Sequence, residues 1–244
     1  MKRRAVEPPL QRKVALITGG NQGIGLAIAR ALVAEGCDVM ISARNESALK
    51  RAAKEIARNR ARAIPVVCDV RDVGAVEGML AALQERFGRL DILVNNAGIA
   101  HANLEVAKLP VESWKEVIAT NLTGMFLVTR AALPLMKSGG AIVNNLSISA
   151  ERVFPGSSAY TASKHGALGF TNTLREELRQ QGIRVIALLP GATDTAIWNT
   201  FWPDAPRRKM MSAATVAEAV VRALTLPPES TLEELRILPR AGAL

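Results

Sequence analysis

One tyrosine, two cysteines and two histidines are all that a chain of 244 residues holds of those types, and aromatic residues make up only 4% of it. Each shortage excludes something. Cys37 and Cys68 are too few and too far apart for a metal-ligand spacing or a disulfide framework, so two plain thiols, a reducing compartment and no metal are expected. His101 and His165 stand in no Ser/His motif and no His-Glu-x-x-His pattern, which removes the common hydrolase and zinc-protease designs. No apolar run approaches the roughly 20 residues of a membrane span; residues 125–128 meet Arg130 almost at once. The opening residues, Met1-Lys2-Arg3-Arg4, are basic but no apolar stretch comes after them, so residues 1–12 read as a short loose extension rather than a signal peptide. A soluble, cytoplasmic protein is expected. Acidic residues are scarce too: 31 Lys and Arg stand against 22 Asp and Glu, a net charge of +9. Those basic residues are scattered over many presumed helix faces with few aromatics between them, so the charge reads as a solvated surface and nucleic acid is not an expected partner.

What is present suits one large α/β domain. With 49% apolar residues the chain can bury a substantial core, placed at residues 13–244 without a linker. Residues 13–18 form a short apolar run that ends in the glycine turn Thr18-Gly19-Gly20-Asn21-Gln22-Gly23-Ile24-Gly25, and residues 26–34 have the apolar density of a packed helix. Strand, glycine turn, helix is the unit that sets a pyrophosphate at a helix N-terminus, where unpaired N–H groups and the dipole favour negative charge. Further apolar strands are read at 38–43, 63–68, 91–94, 141–146, 182–189 and 235–238. Asn45 caps the second helix, and Pro110 starts a long one whose apolar stripe includes Trp114, Val117, Ile118, Leu122, Phe126 and Leu127.

The single tyrosine carries the chemistry. In Tyr160-Thr161-Ala162-Ser163-Lys164 a helix would set phenol and ammonium one above the other. A nearby cation favours the phenolate, which makes the phenol an acid able to work near neutral pH. Thirteen positions earlier Ser147 ends an apolar run, and Ser149, out in the next loop, is its only close rival.

A glycine-rich turn followed by Ser, Tyr and Lys in this order resembles the short-chain dehydrogenase/reductase family over roughly residues 12–195. The turn matches that family's Gly-x-x-x-Gly-x-Gly variant, and Asn95-Asn96-Ala97-Gly98 reproduces its Asn-Asn-Ala-Gly turn. The resemblance implies a Rossmann-like, doubly wound, mostly parallel seven-stranded sheet with helices on both faces, and a homotetramer or homodimer built partly through the helices bearing Asn121 and Tyr160. It implies an NADP(H)-dependent oxidoreductase that interconverts a carbonyl and an alcohol. Tyr160 is then the proton donor, Lys164 lowers the phenol's pKa and holds the nicotinamide ribose, Ser147 binds the substrate oxygen, and Asn121 supports a water relay. Cofactor contacts are implied for Gly19, Asn21, Gln22, Gly23, Ile24 and Gly25; for Asp69 and Val70; for Asn95, Ala97 and Gly98; and for Pro190, Gly191, Thr193 and Thr195. Asp69 serves equally well, on the sequence alone, as a cap for the next helix. The family's acidic ribose-binding position falls on Ala43 with Arg44 next, which implies NADP over NAD, since a guanidinium pairs well with phosphate. Trp198, Phe201 and Trp202 lie in a long loop segment at 192–212, the expected lid, where they suggest a substrate wall; Ile99, Phe154, Trp198 and Trp202 are the expected substrate contacts. Two alternatives stand beside this reading: a 3-oxoacyl-[acyl-carrier-protein] reductase, weakened by the absence of a Val-Asp-Gly-Gly tail, and an NADP(H)-sensing regulator without turnover.

Overall fold

Short apolar runs closed by turns alternate with helices along the chain, and the strands assemble into one sheet. The computed structural model describes residues 10–57 and 62–242. The elements are β1 (Val14–Thr18), α1 (Gly23–Ala34), β2 (Asp38–Ala43), α2 (Glu46–Ile56), β3 (Ala63–Val67), α3 (Val73–Phe87), β4 (Leu90–Asn95), α4 (Val111–Ile118), α5 (Gly124–Ala132), β5 (Met136–Asn145), α6 (Ser158–Arg179), β6 (Arg184–Pro190), α7 (Trp198–Phe201), α8 (Ala213–Leu224) and β7 (Glu234–Ile237). The seven strands lie in the order β3-β2-β1-β4-β5-β6-β7, and every pairing is parallel where the sequence predicts a mostly parallel sheet. The order reverses between β1 and β4, so a crevice opens there at the carboxyl ends of the strands, the place where such sheets bind ligands. Pro65 is tolerated within β3 because that strand is an edge.

Successive strand residues point to opposite faces, and the core divides accordingly. Ile17, Ile41, Val94 and Val143 pack against α1, α2 and α8, whereas Leu16, Met40, Leu93 and Ile142 pack against α3, α5 and α6. Fully buried side chains such as Leu16, Met40 and Leu93 each contribute roughly 1.5–3 kcal/mol relative to exposure. Three helices begin with a side-chain cap: Asn45 Oδ1 accepts from the Ala48 N–H at 2.9 Å, Asp72 Oδ1 from Ala75 at 2.9 Å and Ser212 Oγ from Thr215 at 3.1 Å. Helix α1 differs, for Gln22 at its start makes no such bond.

Three expectations are corrected. Leu10, assigned to the loose extension, is buried in the core, and its carbonyl accepts from the Cys37 thiol at 3.2 Å; residues 1–9 lie outside the described residues. The apolar stripe from Pro110 does not stay on one face. A π-helical turn at Ala119–Thr123 inserts an extra residue between α4 and α5; Val117 is buried, while Trp114, before the turn, and Phe126, after it, are exposed. Finally, the continuous helix Val111–Leu135 is long and apolar enough to cross a membrane by length and composition, an 18-residue stretch of it having a mean hydropathy of 1.2, because three of its four charges gather in its first turns. In this fold its buried residues Val128 and Ala132 join the core beneath the sheet.

Candidate active site

The glycine turn between β1 and α1 is dictated by space and by backbone conformation. Gly19 and Gly23 have φ of 64° and 55°, the left-handed region where a Cβ is strained. At Gly25 the constraint is room: a Cβ would lie 2.3 Å from Asn96 Nδ2 and 2.5 Å from the Gly19 carbonyl oxygen. Asn96 braces the turn, donating through Nδ2 to the carbonyls of Thr18 at 2.9 Å and Gly19 at 3.1 Å.

A cavity of about 800 Å³ runs above the carboxyl ends of the strands. Gly19, Asn21, Gln22, Gly23 and Ile24 line it where α1 begins, with the helix's first N–H groups uncapped by any side chain. Arg44, Asp69 and Val70 line it at the ends of β2 and β3, and Ala97, Gly98 and Ile99 come after β4. Ser147, Phe154, Tyr160 and Lys164 come from β5 and α6, while Pro190, Gly191, Thr193 and Thr195 stand at the end of β6, with Trp198 and Trp202 beyond them. An uncapped helix start, an exposed guanidinium at Arg44 and the unpartnered Ser42 hydroxyl are donors that fit a phosphate-bearing dinucleotide, and the unpartnered Asn145 Oδ1 offers an acceptor to a hydroxyl or amide of the same ligand.

Asp69 lines the cavity and is not the cap of α3. Asp72 is the cap of α3, and both Asp69 oxygens bind Arg71, with Nη2 at 2.6 Å, which holds the carboxyl below its usual range. The Cys68 thiol beside it is pushed up to about 11, mainly by burial, and is no nucleophile.

Ser147, Tyr160 and Lys164 meet at the floor. Ser147 Oγ accepts the Ser149 N–H at 3.0 Å, which leaves its own proton free to be donated. Burial raises the Tyr160 phenol above its ordinary pKa, and a hydrogen bond with Ser147 draws it partly back. This departs from the expected lowering by Lys164: the ammonium lies 5.5 Å from the ring centroid, and removal from water outweighs it. Lys164 itself is buried, which pulls its pKa from 10.5 to about 8, and its Nζ donates to the Asn145 carbonyl at 3.0 Å. The Phe201 ring stands 6.1 Å from that of Tyr160, centroid to centroid.

The sequence profile of the short chain dehydrogenase family matches residues 13–206. The chain belongs to this family. A Streptomyces coelicolor protein provisionally named a ketoacyl reductase is 43% identical over 187 residues, covering 75% of this chain and 71% of that protein. Among solved structures, an alcohol dehydrogenase of the archaeon Thermococcus sibiricus complexed with 5-hydroxy-NADP is similar with a TM-score of 0.89 and 31% identity, over 96% of this chain and 99% of that one. A variant of actinorhodin polyketide ketoreductase with NADPH has a TM-score of 0.83 and 35% identity, over 93% and 96%. As a short-chain dehydrogenase the protein is an oxidoreductase that uses a nicotinamide cofactor.

Three residues that the family resemblance assigned to the site stand outside the cavity lining. Gly25 packs behind the turn, against Asn96. Asn95 points into the core, where Nδ2 donates to Thr129 Oγ1 at 2.8 Å and to Asn144 Oδ1 at 2.9 Å; it shares a face with Leu93, two residues away, and it is Asn96 that reaches the cavity. Asn121 is buried in the π turn, exchanging hydrogen bonds of 2.9 Å with both backbone groups of Ile99, so it shapes the wall from behind. Other short-chain dehydrogenase residues here were not foreseen. Asn145 donates from Nδ2 to Asn96 Oδ1 at 2.8 Å, which joins the carbonyl that holds Lys164 to the glycine turn. Its signal was an amide in an otherwise apolar strand.

Proposed function

We propose that the protein interconverts a carbonyl and an alcohol with NADP(H). The convergence of Ser147, Tyr160 and Lys164 on one cavity floor carries this reading. The bound nicotinamide would supply the hydride, and the remaining work falls to the chain. In the reductive direction the Ser147 hydroxyl donates to the substrate oxygen and fixes it beside the phenol. Tyr160, kept protonated by burial, delivers its proton to that oxygen as negative charge develops there. Lys164, anchored on the Asn145 carbonyl, presents its charge from beneath the phenol. NADP is favoured over NAD because Arg44 is exposed at the β2 end with no carboxylate partner among the described residues, Ala43 carries no acid, and Asp69 is bound to Arg71. The segment 192–212 is the lid of the site, and the exposed Trp114 and Phe126 support self-association through α4 and α5.

The test monitors NADPH absorbance in the presence of aldehydes, ketones, β-keto esters and quinones. NADPH consumption with at least one of them is expected. Tight NADPH binding with no consumption by any would overturn the proposal in favour of a sensor. A second reading, reduction of a 3-oxoacyl thioester, is supported by the similarity to the Streptomyces protein, and the β-keto esters in the panel address it.

A further inference from the structure

The charges of the cavity are segregated. Among the described residues, the charged side chains that line it are Arg44, Asp69 and Lys164. Arg44 and Asp69 stand at the ends of β2 and β3, whereas Ser147 stands at the end of β5, three and four strands away in the sheet order. At a spacing of about 4.8 Å per strand the separation is roughly 14 Å or more, beyond the reach of either side chain. The Lys164 ammonium is engaged by the Asn145 carbonyl. Near the mouth, Arg207 is occupied by Asp194 Oδ1 at 2.8 Å, the Thr195 carbonyl at 2.7 Å and Asn199 Oδ1 at 2.6 Å, and Glu151 is paired with Arg236. A carboxylate brought up to Ser147 would lose its water, and the one cation at that end of the cavity lining is Lys164, already held by a backbone carbonyl beneath the phenol.

What the wall offers instead is a series of aromatic rings. From Tyr160 it continues to Phe201 at 6.1 Å, to Trp198 a further 5.7 Å on, and to Trp202 6.4 Å beyond, centroid to centroid. The series is held in place: Trp198 Nε1–H donates to the Thr193 carbonyl at 2.9 Å, and the Phe201 carbonyl accepts the Asn103 N–H at 3.2 Å. A ring that packs against such a wall gains beyond its buried area, by stacking or edge-to-face contact.

We infer that the substrate is an uncharged ketone with a flat ring beside its carbonyl, the ring lying against Phe201 and Trp198. This rests on the reductase reading above and narrows it. Phe201 is then the residue that selects for the ring.

Four compounds separate charge from ring: phenylglyoxylate, its methyl ester, pyruvate and methyl pyruvate. With NADPH, methyl phenylglyoxylate is expected to give the highest kcat/KM, falling about tenfold when methyl replaces phenyl and about a hundredfold when the ester becomes the free acid. Phe201→Leu keeps the apolar bulk but removes the ring, and lowers the phenyl-to-methyl ratio about threefold or more. An acid used as well as its ester, or methyl pyruvate matching methyl phenylglyoxylate, overturns the inference. Binding is read separately by quenching of Trp198 and Trp202 in a Trp114→Phe background, since the chain has three tryptophans. If none of the four oxidises NADPH although another carbonyl of the wider panel does, this inference falls and the reductase reading stands; if nothing in the panel is reduced, the quenching still ranks the four, and acids binding as tightly as esters would overturn this inference by itself.

Discussion

Replacing Lys164 by methionine should expose an energetic cost that the fold carries at neutral pH. Lys164 is 5% exposed, its ammonium keeps a hydrogen bond to the Asn145 carbonyl, and burial lowers its pKa from 10.5 to about 8. Because the folded value lies below the unfolded one, the unfolded chain binds more protons between pH 8 and 10.5, and stability rises with pH across that window. At 1.36 kcal/mol per pH unit, keeping the ammonium charged at neutral pH costs roughly 3 kcal/mol, of which about 2 kcal/mol is relieved between pH 7 and 9.5. Methionine fills similar space and does not titrate. Urea unfolding of both proteins at the two pH values should therefore show the stability of Lys164→Met relative to wild type falling by about 2 kcal/mol as pH rises. Cys37 and Cys68, pushed up to about 12 and about 11, disfavour the folded state at high pH in both proteins alike and cancel in the comparison. A difference that does not move with pH would refute the reasoning.

Two further outcomes concern the nucleotide end of the cavity. Arg44→Ala should raise the Kd for NADPH about tenfold or more, the loss of a charge-assisted phosphate contact, and leave the Kd for NADH nearly unchanged; titration by protein fluorescence reads both, and equal effects would remove Arg44 as the phosphate reader. Gly25→Ala should cost about 1–3 kcal/mol by forcing a Cβ against Asn96 and the Gly19 carbonyl. The same change at Gly169, a helical glycine with open space at its Cβ, should be neutral or stabilising by up to about 1 kcal/mol, so thermal midpoints that move alike would show that crowding is not the cause.

The strands were legible because apolar runs stop at turns whose residues have a local reason to be there: Gly19 and Gly23 for φ, Asn45 for a helix start. The meeting of Ser147, Tyr160 and Lys164 was legible through the motif. What escaped was set by tertiary placement. Helical periodicity groups Trp114, Val117 and Phe126 in one stripe but does not tell which of them the sheet covers, so the exposure of Trp114 and Phe126 had no local signal. Strand alternation would have sent Asn95 to the Leu93 face and left Asn96 for the cavity, but the motif assigned Asn95 to the cofactor and passed over Asn96. Nothing local tells that Phe201 will stand against Tyr160, although Trp198 and Phe201, three apart, share a face of α7. The phenol's raised pKa depends on burial, which has no sequence signature of its own.

The central claim is that Tyr160 is the proton donor in a site that Ser147 and Lys164 complete. Turnover and NADPH binding of Tyr160→Phe, measured side by side with a ketone that the wild type reduces, test it most directly. The account predicts that kcat falls about a hundredfold or more while the Kd for NADPH changes by no more than about twofold. Turnover that survives the loss of the single phenol in the chain would contradict it.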